Sequence, residues 1–276
     1  MALDINTNIS SLNAQRHLTE SGDALSTALE RLSSGVRINN AYDDAAGLAI
    51  ADKLNRDSRV ASQAIRNAND GISALSIGEK ALGNVGGILS RLSELASQSA
   101  SGTLTDTQRS AIQNEFAALL SEVARISTVT TFNGVQLLSA GTTVSLQVGL
   151  DGTSNSQISF TTVDGSVSGI LSVSQTSIAA STAASAQSAL GLLTSAIANV
   201  AQTRGALGAS ESRLLQAIAN LQIAQENFSA AEGRIRDTDV AAETANLTRA
   251  SVLRQAGVAV LAQANQQPSL ALQLLR

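Results

Sequence analysis

The chain has no cysteine and no tryptophan, and only one histidine, one proline, one tyrosine and four phenylalanines in 276 residues. Without cysteine there are no disulfides, no thiolate nucleophiles and no sulfur-ligated metals. A lone histidine, His17, rules out a His-x-x-x-His zinc site and leaves a Ser–His–Asp arrangement nothing else to draw on. Its polar neighbours on a predicted terminal helix mark it as a solvated side chain. Positive charge is also scarce: 18 Lys and Arg stand against 22 Asp and Glu, a net charge of −4. That balance argues against a nucleic-acid groove or an anionic-membrane patch, which need clustered Lys and Arg. Long apolar runs are missing too. The longest, Ala256–Ala262, has seven residues, so no transmembrane helix is expected. The opening MALDINTNISSLNAQRH lacks a basic region followed by an apolar one, so no cleaved secretory signal is expected.

What remains is aliphatic. Hydrophobic residues make up 43% of the chain and aromatics 2%. Compact globules fill their centres with rings, whereas thin seams between long helices are filled by Ala, Leu, Ile and Val. With Pro268 as the one proline, almost nothing forbids continuous helix. Apolar residues recur at helical spacing. Leu18, Leu25, Leu29, Leu32 and Val36 form one stripe, with Ile5, Ile9 and Leu12 slightly out of phase beside it. Ala61, Ile65, Ala68, Ile72, Leu75, Leu82 and Leu89 form another, flanked by Val85, Ile88, Leu92 and Leu95. After a break at Ser101-Gly102, Thr105-x-x-Gln108 reads as a capping box. It opens a helix carrying Ile112, Phe116, Leu119, Val123 and Ile126. The cleanest frame runs through Leu190, Leu193, Ile197, Val200, Leu207, Leu214, Ile218, Leu221 and Phe228. A stripe this long needs partner helices, because one helix cannot bury it alone.

Between about 129 and 180 the period changes to two. Asn133-Gly134 is the strongest short hairpin signal in the chain. Val144, Leu146 and Val148 alternate with polar residues, as do Ile158 and Phe160, and Asp151-Gly152 and Asp164-Gly165 supply turns before Ile170 and Val173. The fold class is therefore mainly α, with long coiled-coil-like helices from both chain ends packed together and a small antiparallel β-hairpin region in the middle. From Asp237 onward the chain is helical until Pro268 breaks it, and Leu270, Leu272, Leu274 and Leu275 form an apolar tail that needs covering.

No constellation points to an enzyme, and no catalytic, cofactor or metal residues are assigned. Gly83, Gly86 and Gly87 lie inside a helical repeat and permit close helix approach; they do not sit between a strand and a helix as a phosphate cradle must. Asp43-Asp44 falls where a helix begins, and there acids cap and complement the dipole. The Asn-x-Ser/Thr triplets at Asn8, Asn227 and Asn246 lie on predicted helices and are read as chance matches.

The stretch from Leu32 through Ser33-Ser34-Gly35-Val36-Arg37-Ile38-Asn39-Asn40-Ala41-Tyr42-Asp43-Asp44-Ala45-Ala46-Gly47 to Ile50 resembles the N-terminal signature of bacterial flagellin. Glu226-Asn227-Phe228-Ser229-Ala230-Ala231, Arg234-Ile235-Arg236-Asp237-Thr238-Asp239 and Gln263-Ala264-Asn265-Gln266 resemble its C-terminal half. The resemblance covers about residues 1–138 and 185–276. It implies an inner helical domain split between residues 1–43 and 237–276, and an outer helical domain over 44–236 with the β region at about 129–180. It implies a structural subunit that polymerises with itself into the flagellar filament used for swimming. A hook–filament junction protein of the same superfamily is the alternative, and a cytosolic coiled-coil scaffold a more distant one.

The same resemblance implies an extracellular protein exported through the flagellar type III apparatus. An export chaperone is expected at the C-terminal end, with filament-cap and hook-associated proteins as further partners. A host Toll-like receptor is also implied, with Arg91, Leu95 and Glu122 at the matching positions. No cofactor, nucleic acid or membrane insertion is expected. Because neither end carries enough apolar bulk for its own core, residues 1–36 and 240–276 are expected to be largely unfolded in the monomer and to pair as helices on assembly.

Overall fold

A computed structural model describes residues 7–139, 141–171 and 179–274, with Leu171 and residues 267–274 by their backbone alone. Six helices and four short strands are seen among them: α1 (Ile9–Ser34), α2 (Ala45–Ala100), α3 (Asp106–Val129), β1 (Thr131–Phe132), β2 (Val135–Gln136), β3 (Thr143–Gln147), β4 (Gln157–Thr161), α4 (Val167–Leu171), α5 (Ala183–Arg236) and α6 (Val240–Leu274). The chain divides into two compact units. One comprises residues 1–57 and 226–276, the other residues 58–225. Both α2 and α5 pass through the division without a break.

The larger unit is organised by heptads. In α2, Ala61, Ala68, Leu75, Leu82, Leu89 and Ala96 are all buried at intervals of seven. Ala64, Gly71, Gly78, Val85, Leu92 and Ser99 form a second buried column between them. Helix α5 answers with Leu193, Val200, Leu207, Leu214 and Leu221, again seven apart and buried. A seven-residue repeat falls short of two turns of a straight α-helix, so such seams coil left-handedly around one another. Helix α3 adds Phe116, Leu120 and Val123 to the same core. It opens with the capping box foreseen in the sequence. Thr105 Oγ1 accepts the Gln108 N–H, and Gln108 Oε1 accepts the Thr105 N–H at 2.9 Å.

The hairpin at Asn133-Gly134 forms with both turn residues at positive φ, 48° and 79°, as the tightest two-residue turn requires. Strands β3 and β4 pair antiparallel, with Val144 opposite Phe160 and Leu146 opposite Ile158. Gly71 makes room for them: a Cβ there would run into Leu146. Asn67 Nδ2 fixes the strand by donating to the Gln147 carbonyl at 3.0 Å.

Beyond β4 the structure departs from the alternating pattern. Ile170 lies on α4, not on a strand, because Ser166 Oγ accepts the Gly169 N–H at 3.1 Å and starts a helical turn that buries Val167 and Ile170. Val173 lies outside the described residues. Gly83 and Gly86 face Arg204 and Val200 of α5, but a Cβ on either would meet ordinary contacts at 3.8 Å. Nothing approaches Gly87. Close helix approach therefore does not depend on these three glycines.

In the smaller unit, α1 ends at Gly35, whose φ of 74° lets its N–H turn back to the Arg31 carbonyl. The chain then pairs with the end of α5. Arg37 N–H donates to the Arg236 carbonyl at 2.6 Å, and Thr238 N–H donates to the Gly35 carbonyl at 3.0 Å. Of the two acids read as helix caps, Asp44 takes that role and Asp43 instead ties the turn before it. Asp43 Oδ2 accepts the Asn39 and Asn40 N–H groups, and Asp44 Oδ1 accepts the Gly47 N–H at the start of α2.

Candidate assembly surface

Helices α1 and α6 run along each other in opposite directions. Residues near Gly35 meet Thr238, and Asn8 meets Ala264. The α1 seam consists of Ser11, Ala14, Leu18, Ser21, Leu25, Ala28 and Leu32, spaced alternately three and four. Facing it, α6 sets Glu243, Leu247, Ala250, Gly257, Leu261 and Ala264 at heptad positions. Many of these are small, so Cα atoms of the two helices approach within 8 Å. At Gly257 an added Cβ would already stand 3.4 Å from Leu18.

The leucine stripe read from the sequence is thus partly displaced. Leu29, Ile9 and Leu12 are more than half exposed and lie off the seam, while Ile5 is outside the described residues. The seam follows small residues that leucine-based periodicity overlooks. The helix expected to break at Pro268 instead continues to Leu274. The side chains of Leu270, Leu272, Leu274 and Leu275 lie outside the description. Both terminal helices are formed and packed against each other within one chain.

What the pair lacks is cover. On α6, Val240, Val252, Leu253, Val258 and Val260 are 52–59% exposed. A groove of about 760 Å³ runs between the two helices, lined by Ala14, Ala24, Ala250, Leu253, Gly257 and Val260, with His17 and Glu20 at its edge. The His17 ring lies 3.0 Å from Glu20 Oε2 and is well exposed. Leu253 and Val260 line the groove, while Val240, Val252 and Val258 stand bare on other faces of α6. Single exposed aliphatics are unremarkable, but this number on one helix leaves apolar area for a partner to cover. Sequence reasoning missed these valines; for Val258 and Val260 the signal was the apolar run Ala256–Ala262, which exceeds what one seam needs, and Val240 and Val252 carried none.

Of the three expected receptor positions, the structure leaves two on the surface. Arg91 bonds Glu94 at 2.9 Å and Glu115 at 2.9 Å, and these bonds, Glu94 first, raise its pKa. Leu95 is 2% exposed and belongs to the core. Glu122 pairs with Arg125 at 2.6 Å, which holds its carboxyl below the ordinary range. Arg91 therefore meets Glu115, a residue the sequence reading had passed over, and not Glu122. Among the described residues no group of His, Cys, Asp or Glu could hold a metal ion, and no helix is long and apolar enough to cross a membrane. Asn8 donates through Nδ2 to a backbone carbonyl, so its triplet is in structural use.

Antiparallel terminal helices with exposed aliphatics, and a second unit built on heptads, define a helical, seam-packed class of protein. Comparison with known proteins makes the class specific. The bacterial flagellin N-terminal helical region matches residues 5–143, and the bacterial flagellin C-terminal helical region matches residues 190–275. A flagellin of Halalkalibacterium halodurans is 43% identical over 276 residues, covering 99% of both chains. A flagellin of Bacillus subtilis is 38% identical over 302 residues, again covering 99% of each. The flagellar filament 30.7 kDa core protein of Treponema maltophilum is 37% identical over 282 residues, covering 98% of this chain and 99% of that one. The crystal structure of Bacillus cereus flagellin superposes with a TM-score of 0.50 at 26% identity, over 56% of this chain and 88% of that one. The chain belongs to the bacterial flagellin family.

Proposed function

We infer that the chain is a structural subunit that polymerises with itself into the extracellular flagellar filament. The observation that carries this is the α1–α6 pair, whose α6 valines and Leu253 are half bare and whose two helices leave a groove between them. Identical copies covering that flank would bury it, and a head-to-tail contact that does not close generates an open helical fibre. Electron microscopy of purified chain at high salt tests the reading: filaments are expected, and a persistently monodisperse monomer refutes it.

The finer reading follows the same surface. Residues 1–43 and 237–276 would form the inner domain of the filament, where apolar flanks find neighbours, and 44–236 the outer one. Such a subunit performs no catalysis; its work is mechanical. Export through the type III apparatus accounts for a chain without disulfides to open, and an export chaperone would occupy the apolar C-terminal tail before assembly. Cap and hook-associated proteins would then meet the ends of the filament. A Toll-like receptor would read the outer helices through Arg91 and Glu122, since Leu95 acts by packing. Loss of signalling on combining Arg91→Ala with Glu122→Ala is the expected result. Copy number per filament separates this subunit from a hook–filament junction protein.

A further inference from the structure

In an α-helix the carbonyl of residue 264 takes the N–H of residue 268. Here residue 268 is proline, which has no N–H and crowds that carbonyl. Helix α6 nevertheless continues to Leu274. Ala264 is buried, so an unanswered carbonyl at this point would be costly. The missing donor comes from the other end of the chain: Asn8 Nδ2 donates to the Ala264 carbonyl at 2.8 Å. The same amide faces the other way as well. Asn8 Oδ1 accepts the Ser11 N–H at 3.0 Å and so caps α1. Ser11 is itself buried and donates through Oγ to Asn265 Oδ1 at 2.8 Å.

We propose that Asn8 is a positioning residue that makes the capping of α1 and the passage of α6 through its proline one event, and thereby holds the alignment of the two helices at the end remote from the Gly35–Thr238 junction. The Gly35–Thr238 junction pins one end of the pair, and the small residues Ser11, Ala14, Gly257 and Ala264 toward the far end leave the alignment there to polar contacts. Pro268 is the chain's one proline, so Ala264 is the carbonyl of α6 that loses its helical donor to a proline. Sliding by a heptad would carry Asn8 roughly 10 Å along α6 at about 1.5 Å per residue. The amide would then face a carbonyl already bonded, and Ala264 would have no partner. A single polar residue in a seam is a known way to fix alignment between helices.

Two substitutions separate the roles. Asn8→Ser keeps a cap of comparable strength but has no amide to reach Ala264. Pro268→Ala gives Ala264 an N–H from within α6. Hydrogen exchange is followed by mass spectrometry on polymerised full-length chain, comparing the peptide over 265–276 with one from α3. In the Pro268 background, Asn8→Ser is expected to speed exchange of the C-terminal peptide about tenfold and leave α3 unchanged. In the Pro268→Ala background the same change is expected to have less than a twofold effect. Equal effects in both backgrounds, or none in either, overturn the proposal. Should Asn8→Ser fail to polymerise, the double variant decides: restored polymer supports the coupling, and continued failure rejects it.

Discussion

Replacing Val252 and Val260 together by Ala probes the uncovered flank of α6 with the least disturbance to the chain that bears it. Each side chain is 58–59% exposed, and the two stand eight residues apart, about 12 Å along the helix. Valine to alanine removes two carbon groups, worth about 1.6 kcal/mol if they pass fully from water to an apolar contact. Scaled to the surface still open, the loss is about 1 kcal/mol at each site. At that distance the two losses should add. Some 2 kcal/mol per subunit corresponds to a critical concentration raised about 30-fold, at 1.4 kcal/mol for each factor of ten. Alanine is the better helix former, so α6 itself gains slightly. The assay is sedimentation of polymer across a dilution series, with circular dichroism of the monomer as the control. A critical concentration within threefold of the parent would refute the assignment of this flank to subunit contacts.

Leu82→Ala should lower the stability of the heptad body by about 2–5 kcal/mol, since Leu82 is fully buried in it, and this is read from chemical unfolding of the monomer. Asp151 holds the β3–β4 loop by accepting from Ser156 Oγ and from the Thr153 hydroxyl and N–H, which lower its pKa. Its contribution is therefore complete above the ordinary value of 3.8 and fades as the pH falls through the depressed native value. The amide shift of Thr153 should report a midpoint below 3.8, and a midpoint at or above it would contradict the hydrogen bonding. Replacing Gly87 with Leu should alter filament shape while leaving the monomer folded, because a Cβ there meets nothing within 4 Å. An unchanged waveform by dark-field microscopy would show that small residues here are not needed between subunits.

Much of the architecture was legible wherever the cause is local. Thr105 and Gln108 cap each other across three residues, Asn133-Gly134 supplies two positive φ angles, and the α5 column at 193, 200, 207, 214 and 221 follows from spacing alone. The readings that changed depend on distant partners. Pro268 should stop a helix by every local rule, yet α6 continues, and the Ala264 carbonyl it leaves without a helical donor takes one from Asn8, 256 residues before Ala264. Leu29 looked like a seam residue, yet the contact surface of α1 is built on Ser11, Ala14, Ser21 and Ala28, whose small size matters only once α6 is known to lie against them. Leu95 sits at a position matched to receptor contact, but the heptad columns beside it pull it inward. Arg91 and Glu115 are 24 residues apart on different helices, and no spacing rule joins them.

The meeting of Asn8 with Ala264 has a consequence for timing. A polypeptide is made, and threaded through any narrow passage, one residue after another, so a stretch close to the beginning must wait for its mate near the finish. Until that mate emerges, the first helix has nothing to lie against. A subunit that assembles through this pair would then be able to meet a neighbour only once both helices are present.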